Sequence, residues 1–480
     1  MAAAEGSEHR GMTSPAAAVW QGRSAHLVGV AGAGMRAMAE VLLGHGWTLS
    51  GSDLAAGAAR SMSEAGVRFS AGHAAENLPP DAQCIIYSDA VAPDNPELLQ
   101  AAKRGIPAWS YFQMAGRLMS GGRGLAVAGT HGKSTTTAMA AHVLAEAGCD
   151  PTVLCGAAPL GHRSGGRAGR TGLVLAEACE YRANFLHLHP RHAVILGIEP
   201  DHFDCFDSNA RLHEAFAQFA RSVPPAGLVL ARHDCPATRT VTAALACRVK
   251  TFGTDVRADW SARNLLPRRA RYDFEIRHHG RHQCCVSLRV PGRHNVLNAL
   301  AAAALAAENG VPPEHISRAL GSFRGLQRRM ESLGTWRGAL LLDDFAHHPT
   351  EVAAALQTIR RMAPGRRLWC VFQPHQASRT ERLLDELAAS LQNADRLMVA
   401  EIFRAREGPP QRGEVTAADL AREARRRGGE VSRLHGPEQI ARSLVTRLAP
   451  GDVLVTMGAG DVRKIARHFI RHAQRRRAAG

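Results

Sequence analysis

The sequence predicts an α/β protein of three successive domains: Rossmann-like at the N-terminus, a central P-loop domain with a mainly parallel sheet, and Rossmann-like again at the C-terminus. Three observations carry this reading. An apolar run empties into a glycine-rich turn at Gly29-Val30-Ala31-Gly32-Ala33-Gly34 and again at Gly129-Thr130-His131-Gly132. Strand-like apolar runs alternate with alanine-rich helical stretches. Carboxylates and histidines stand just past the strand-like runs, where parallel sheets keep their ligands. At 480 residues the chain is long enough for two to four domains with sizeable cores, and it carries no repeat at solenoid spacing.

In chain order, residues 1–24 contain Glu5 and Glu8 and lack an apolar segment, so they are expected to be a disordered leader and not a signal peptide. Residues 25–120 form the first expected domain. His26 to Val28 is a strand, Gly29, Gly32 and Gly34 make the turn, and a helix runs through Leu43. Asp53 closes the second strand about twenty residues on, as expected where a nucleotide ribose is held. Cys84 to Tyr87 is a further strand ending at Ser88, and Pro107 to Met119 reads as a connection.

Residues 121–327 form the second expected domain. Leu125 to Ala128 is a strand, the shortened loop Gly129-Thr130-His131-Gly132-Lys133-Ser134 follows, and a helix is expected from Thr135 to Ala147. Glycines let backbone N–H groups crowd an anion, and the helix adds the positive end of its dipole. Lys133 then reaches β/γ-phosphates and Ser134 offers a hydroxyl to Mg²⁺. The six-position form of the motif wants glycine at 127, where this chain has Val127. The chain holds four lysines against 55 arginines, which marks Lys133 as a chosen lysine. Leu173 to Ala176 leads into Glu177-Ala178-Cys179-Glu180-Tyr181, and Ala193 to Ile198 into Glu199-Pro200-Asp201-His202-Phe203-Asp204. Gly292-Arg293-His294-Asn295-Val296-Leu297-Asn298 precedes an alanine-rich helix.

Residues 328–480 form the third expected domain, with a basic tail. Its strands are Ala339 to Leu342, Leu368 to Phe372, Asp395 to Ala400 and Val453 to Met457. The first empties into Asp343-Asp344-Phe345-Ala346-His347-His348, and the second into Gln373-Pro374-His375-Gln376-Ala377-Ser378-Arg379.

Composition narrows the function classes. A hydrophobic content of 45% with 21% charged residues is ordinary for a globular protein. The longest strongly apolar run, Ala299 to Ala307, is far short of the ~20 residues that cross a bilayer, so a soluble cytoplasmic protein is expected. The ten cysteines include no C-x-x-C and read as reduced, mostly buried thiols. Net charge is +16, but it is spread along the chain apart from short runs such as Arg425-Arg426-Arg427 and the tail Arg471 to Arg477. Aromatics are 5%, without the basic interleaving of a stacking platform. The charge therefore points to polyanionic small molecules ahead of nucleic acid.

The ordered motifs resemble those of the Mur ligases of peptidoglycan synthesis, from about His26 to Ile470. They are the glycine-rich start, G-T-H-G-K-S, E-A-C-E-Y, D-H-F-D, G-R-H-N-V-L-N, R-R-M-E, D-D-F-A-H-H-P-T-E, F-Q-P-H and M-G-A-G-D. The resemblance implies that ATP phosphorylates the lactyl carboxylate of UDP-N-acetylmuramate. The amine of L-alanine then attacks the acyl phosphate, with Mg²⁺ as cofactor, at two sites. It implies an ATP site of Gly129, Thr130, His131, Gly132, Lys133, Ser134 and Thr135, completed by Asn295, Asn298, Arg329 and Asp344. Thr130, Ser134, Glu177 and His202 would serve the metal. Gly29, Gly32, Gly34, Asp53 and Ser88 would hold the UDP-sugar, while His347, His348 and Arg379 would receive the amino acid, with His347 able to accept the amine proton. Lys133, Glu177, His202, Arg329 and His347 form the implied catalytic set.

Departures fall mostly on the amino-acid side. Gln376 stands where alanine-adding members carry arginine, Phe345 replaces tyrosine, Arg404-Ala405-Arg406-Glu407 replaces an A-G-E loop, and Leu196-Gly197 a Thr-Asn pair. No lysine lies between Lys133 and Lys250 to be carboxylated as in sister enzymes, which favours the alanine-adding branch. The alternatives are a recycling ligase that adds a preformed peptide to UDP-N-acetylmuramate, and a nucleotide-dependent nucleic-acid-binding protein.

Overall fold

The computed structural model describes residues 23–405, 407–433 and 436–478. The expected leader lies outside the described residues apart from its last two, as does Arg406. Of the basic tail only backbone is described, inside the helix Arg463–Ala478.

Three α/β layers follow one another, as the strand-turn-helix pattern predicts. In the first, strands Val67–Ala71, Thr48–Asp53, Ser24–Val28, Cys84–Tyr87 and Ala108–Ser110 lie in that spatial order, all parallel. The order reverses direction between Ser24–Val28 and Cys84–Tyr87, so the loops carrying Gly29 and Ser88 open a crevice there. The segment 107–119 is not a connection. It contains the strand Ala108–Ser110 and the helix Tyr111–Ser120, started by a capping box in which Ser110 and Gln113 each bond the other's backbone.

The central sheet has ten strands. Its parallel body runs Arg248–Gly253, Leu228–Arg232, His192–Ile195, Arg123–Ala128, Leu173–Glu177, Thr152–Leu154 in space. Trp260–Pro267, Tyr272–His278 and Arg281–Leu288 extend one edge and Gly166–Arg167 the other, with the outer pairings antiparallel. Arg123–Ala128 thus sits between the two strands whose ends carry Glu177 and the Glu199 segment. The strand expected to reach Ile198 stops at Ile195. Beyond it Thr130 binds the departing chain, donating from N to Gly197 O and from its hydroxyl to Glu199 O.

The helix after the phosphate loop begins at Lys133, two residues earlier than periodicity suggests, because glycine at 132 (φ 81°) lets the turn close directly into it. It lies against the alanine-rich helix Arg293–Ala307, whose small side chains are fully buried. Asn295 and Asn298 belong to the first turns of that helix and do not precede it.

A triple aromatic cluster anchors the acidic segment. Phe185 stacks on Phe219 at 4.7 Å and meets Phe216 edge-on at 5.2 Å. All three are fully buried, worth roughly 2–3 kcal/mol each by area. They pin Tyr181–His187, the short helical segment behind Glu177 and Glu180, to helix Asn209–Arg221.

The third sheet runs Glu331–Trp336, Ala339–Asp344, Val453–Met457, Leu368–Phe372, Arg396–Val399, Val431–Arg433, with only the first pair antiparallel. Ala339–Asp344 is longer than expected and keeps both aspartates in the strand, where both are buried. All ten cysteines are free, five of them buried. Among the described residues no helix is long and apolar enough to cross a membrane.

Candidate active site

The C-terminal ends of all three sheets converge. A cleft of about 380 Å³ is walled by Asp89 and Phe112 from the first layer, by Lys133, Ser134, Glu177 and His202 from the second, and by Arg329, His347 and Arg379 from the third. A narrower cavity of about 150 Å³ continues from His131, Gly132 and Thr135 past Asn295, Asn298, Arg329 and Asp344. A third, of about 220 Å³, leads from Glu177 to Gly32, Gly34 and Ser88. Phosphate loop, expected nucleotide side and expected sugar side are therefore continuous.

At the cleft floor Lys133 is not solvent-facing. Its Nζ donates to Gly129 O at 2.5 Å, to Thr130 O at 3.0 Å and to Glu180 Oε1 at 3.0 Å. Burial by itself would lower the lysine pKa, but Glu180 outweighs it and keeps Lys133 charged. Burial likewise works against the Glu180 carboxylate, and Lys133 and His202 hold its pKa below the usual range. Ser134 donates to Glu177 Oε1 at 3.0 Å, and Gly156 N donates to Oε2 at 2.8 Å. The serine hydroxyl and the carboxylate thus share one locus, a hard-oxygen pair that fits Mg²⁺. His202 adopts φ 54°, and its Nε2 lies 3.6 Å from Glu180 Oε1. A bulky residue in that region signals local constraint.

Several expected residues act as braces. The Thr130 hydroxyl is engaged with the Glu199 backbone, donating to its carbonyl and accepting its N–H at 2.9 Å, which occupies the group expected at the metal. Asp53 does not line the sugar crevice; its carboxylate accepts Ala31 N and Ala55 N, each at 2.8 Å, and so shapes the glycine turn. Gly29 has φ 79°, and a Cβ there would lie 3.1 Å from that of Ser88. Asp344 accepts Met330 N at 2.6 Å and Ala346 N at 2.8 Å, and burial raises its pKa to about 6. Asn298 donates to Asn295 Oδ1 at 3.0 Å, and Asn295 donates to Pro291 O at 2.6 Å. The pair is locked together at the cavity wall.

On the third-domain side, Arg329 lies over the Phe345 ring at 4.9 Å and 3.9 Å from Glu351. Burial lowers the His347 pKa to about 4, so the ring is neutral. Its Nδ1 lies 3.0 Å from Phe345 O, a pure acceptor, so Nδ1 carries the proton and Nε2 the lone pair. Arg379 was expected to meet a free carboxylate, but its guanidinium is committed to Asp201 and to His375 Nδ1 at 2.8 Å. His348 sits behind His131, ring centroids 4.7 Å apart, and accepts Thr350 N as cap of helix Pro349–Met362. Gln376, the departure beside it, is buried at φ 66° and lines the cleft.

The sequence reading gave no role to Glu180, Asp201, Glu199, Glu351 or His375. All five lie inside stretches already singled out, and a buried cation such as Lys133 demands a carboxylate partner. Glu351 bridges His131 and His347 from one helical turn beyond the histidine pair.

Comparison with known proteins gives three consecutive family matches. The model described as Mur ligase family, catalytic domain, matches residues 24–123; the Mur ligase middle domain matches 127–306; and the Mur ligase, glutamate ligase domain, matches 328–460. The UDP-N-acetylmuramate--L-alanine ligase of Salinibacter ruber is 39% identical over 93% of this chain and 94% of its own. That of Anaeromyxobacter dehalogenans is 40% identical over 91% and 95%. Among solved structures, the UDP-N-acetylmuramate-alanine ligase of Thermotoga maritima superposes with TM-score 0.80 at 27% identity, over 94% of this chain and 99% of its own. A murein peptide ligase from Psychrobacter arcticus gives 0.72 at 25% identity, over 94% and 98%.

Proposed function

This chain belongs to the Mur ligase family, and on that premise we propose that it is an ATP-dependent ligase joining L-alanine to the lactyl carboxylate of UDP-N-acetylmuramate. The products are UDP-N-acetylmuramoyl-L-alanine, ADP and phosphate. The observation that carries the reading is the single cleft in which loops from all three sheets meet around Lys133. A reaction that brings together a nucleotide triphosphate, a nucleotide sugar and an amino acid needs three binding arms and one dry centre.

In this reading the sugar nucleotide lies along Gly32, Gly34 and Ser88, with its carboxylate reaching the Glu177 end. ATP lies with its phosphates on Gly129 to Thr135 and its nucleoside in the narrower cavity by Asn295, Asn298 and Asp344. The N-terminus of helix Lys133–Glu146 and the Lys133 ammonium stabilise charge on the transferring oxygens. Arg329, entering from the third domain, adds a second cation. Ser134, Glu177 and His202 would hold Mg²⁺, which when bound neutralises phosphate charge. The amine enters beside Arg379, His375 and Gln376. Nε2 of the neutral His347 is the acceptor for its proton. A cytoplasmic setting belongs to the same proposal, since both nucleotides are polyanions that do not cross a bilayer unaided.

Purified protein given ATP, Mg²⁺, UDP-N-acetylmuramate and L-alanine releases phosphate in step with amide formation. Competition between L-alanine and L-alanyl-γ-D-glutamyl-diaminopimelate favours the free amino acid. Incorporation of the peptide instead would replace this reading with the recycling reaction.

A further inference from the structure

One cluster outside the Ser134 and Glu177 pair combines imidazole and carboxylate donors from two domains. His131 comes from the turn after Arg123–Ala128, Glu199 from the segment after His192–Ile195, and His348 from the cap of helix Pro349–Met362. Their donor atoms all lie within 4.8 Å of one another. Nε2 of His131 is 3.2 Å from Glu199 Oε2, and Nδ1 of His348 is 3.9 Å from the same oxygen.

We infer that His131, Glu199 and His348 form a binding site for a divalent cation of the zinc class, which staples the phosphate loop to the C-terminal domain. The donor set selects the ion. Two imidazoles and a carboxylate suit Zn²⁺, Co²⁺ or Ni²⁺, whereas Mg²⁺ favours an octahedron of oxygens. Bond lengths of about 2.0–2.1 Å in a tetrahedron put ligand atoms roughly 3.3 Å apart. The spacings of 3.2 and 3.9 Å to Glu199 are close to this, and the two imidazole nitrogens, which lie within 4.8 Å of each other, draw together to complete the site. Three protein ligands leave a fourth position for water.

The layer around the donors is already built. His131 Nδ1 lies 3.2 Å from Glu351 Oε1, and the Thr350 hydroxyl donates to Glu199 Oε2 at 2.7 Å. A carboxylate on the far nitrogen fixes a ligating imidazole's orientation and strengthens it as a donor. His348 is buried, and binding the ion exchanges the long 3.4 Å contact that its Nδ1 accepts from Thr350 N for the metal bond.

The test is a titration of the metal-stripped full chain with Co²⁺ in excess Mg²⁺. One equivalent is expected to give the visible absorption of four-coordinate Co²⁺, removed by Zn²⁺. Glu199→Gln and His348→Gln, in different domains, each weaken binding by at least about tenfold, and Glu351→Gln by about tenfold. His282→Gln, on an exposed edge strand, leaves it unchanged. The absence of the band, or a band of equal strength in both ligand variants with unaltered thermal unfolding, means an ion-pair cluster only and overturns the site.

Discussion

Arg379 Nε donates to Asp201 Oδ1 at 2.9 Å, and Nη2 approaches the same oxygen at 2.7 Å. Both side chains are more than nine-tenths buried, and the pair ties helix Ala377–Arg382 of the third layer to the loop after His192–Ile195. Removing one partner of a buried pair strands the other charge. Arg379→Ala is therefore expected to destabilise the protein by about 3–5 kcal/mol and to abolish turnover. Adding Asp201→Ala recovers much of the stability but none of the turnover. Thermal unfolding of the two single variants and the double variant gives the coupling, and a value near zero would contradict the pairing.

Lys133 presents the same logic at the catalytic floor. A lysine on an open loop could be removed without structural consequence, but here Glu180, 1% exposed, lies 2.8 Å from the ammonium. Lys133→Ala should lose turnover and about 3–5 kcal/mol of stability together. Glu180→Gln in the Lys133→Ala background restores stability and leaves the enzyme inactive. The pair of measurements separates the ammonium's role on phosphate oxygens from its role in the fold.

The sequence reached the architecture because strand-to-helix glycine turns and strand-end carboxylates are local signals. The short form Gly129 to Ser134 and the strands Cys84–Tyr87, Leu368–Phe372 and Val453–Met457 were legible for that reason. Who pairs with whom was not. Asp53 faces the backbone of its own turn, Thr130 bonds Glu199 sixty-nine residues away, and Arg379 finds Asp201 across a domain junction. Those outcomes follow from the requirement that buried charges and hydroxyls be satisfied in three dimensions, which periodicity does not encode. The helix Tyr111–Ser120 was missed although Ser110 and Gln113 spell a capping box.

Away from the cleft, Glu97 is fully buried in the first layer, accepting from Ser52 at 2.6 Å and from Asn77 at 2.7 Å, with His26 at 3.7 Å. Burial alone would raise its pKa, but His26, Ser52 and Asn77 outweigh it and bring it to about 2. A folded pKa below the unfolded one gives stability that is complete above about pH 4.5 and is lost as pH falls toward 2. The contribution is about 3 kcal/mol at most. Unfolding followed from pH 7 to pH 2 should show this loss. In Glu97→Gln the protein starts less stable at pH 7 and the acid slope is shallower; an unchanged slope would remove Glu97 as its source.

The phosphate loop offers a steric test. Gly132 adopts φ 81°, and a Cβ there would lie 2.4 Å from Asn298 Oδ1. Gly132→Ala therefore meets two obstacles: a backbone conformation that costs an L-residue about 1–3 kcal/mol, and a collision with a side chain locked to Asn295. The loop must shift, and its N–H groups then miss the phosphate oxygens. ATP binding by calorimetry should weaken at least about tenfold, the equivalent of 1.4 kcal/mol, while global stability falls by about 1–3 kcal/mol. Asn298→Ala in the same chain removes the collision but leaves the backbone strain and takes an amide from the nucleoside cavity, so the double variant recovers binding only in part. Wild-type ATP affinity in Gly132→Ala would mean that the phosphates do not lie on this turn.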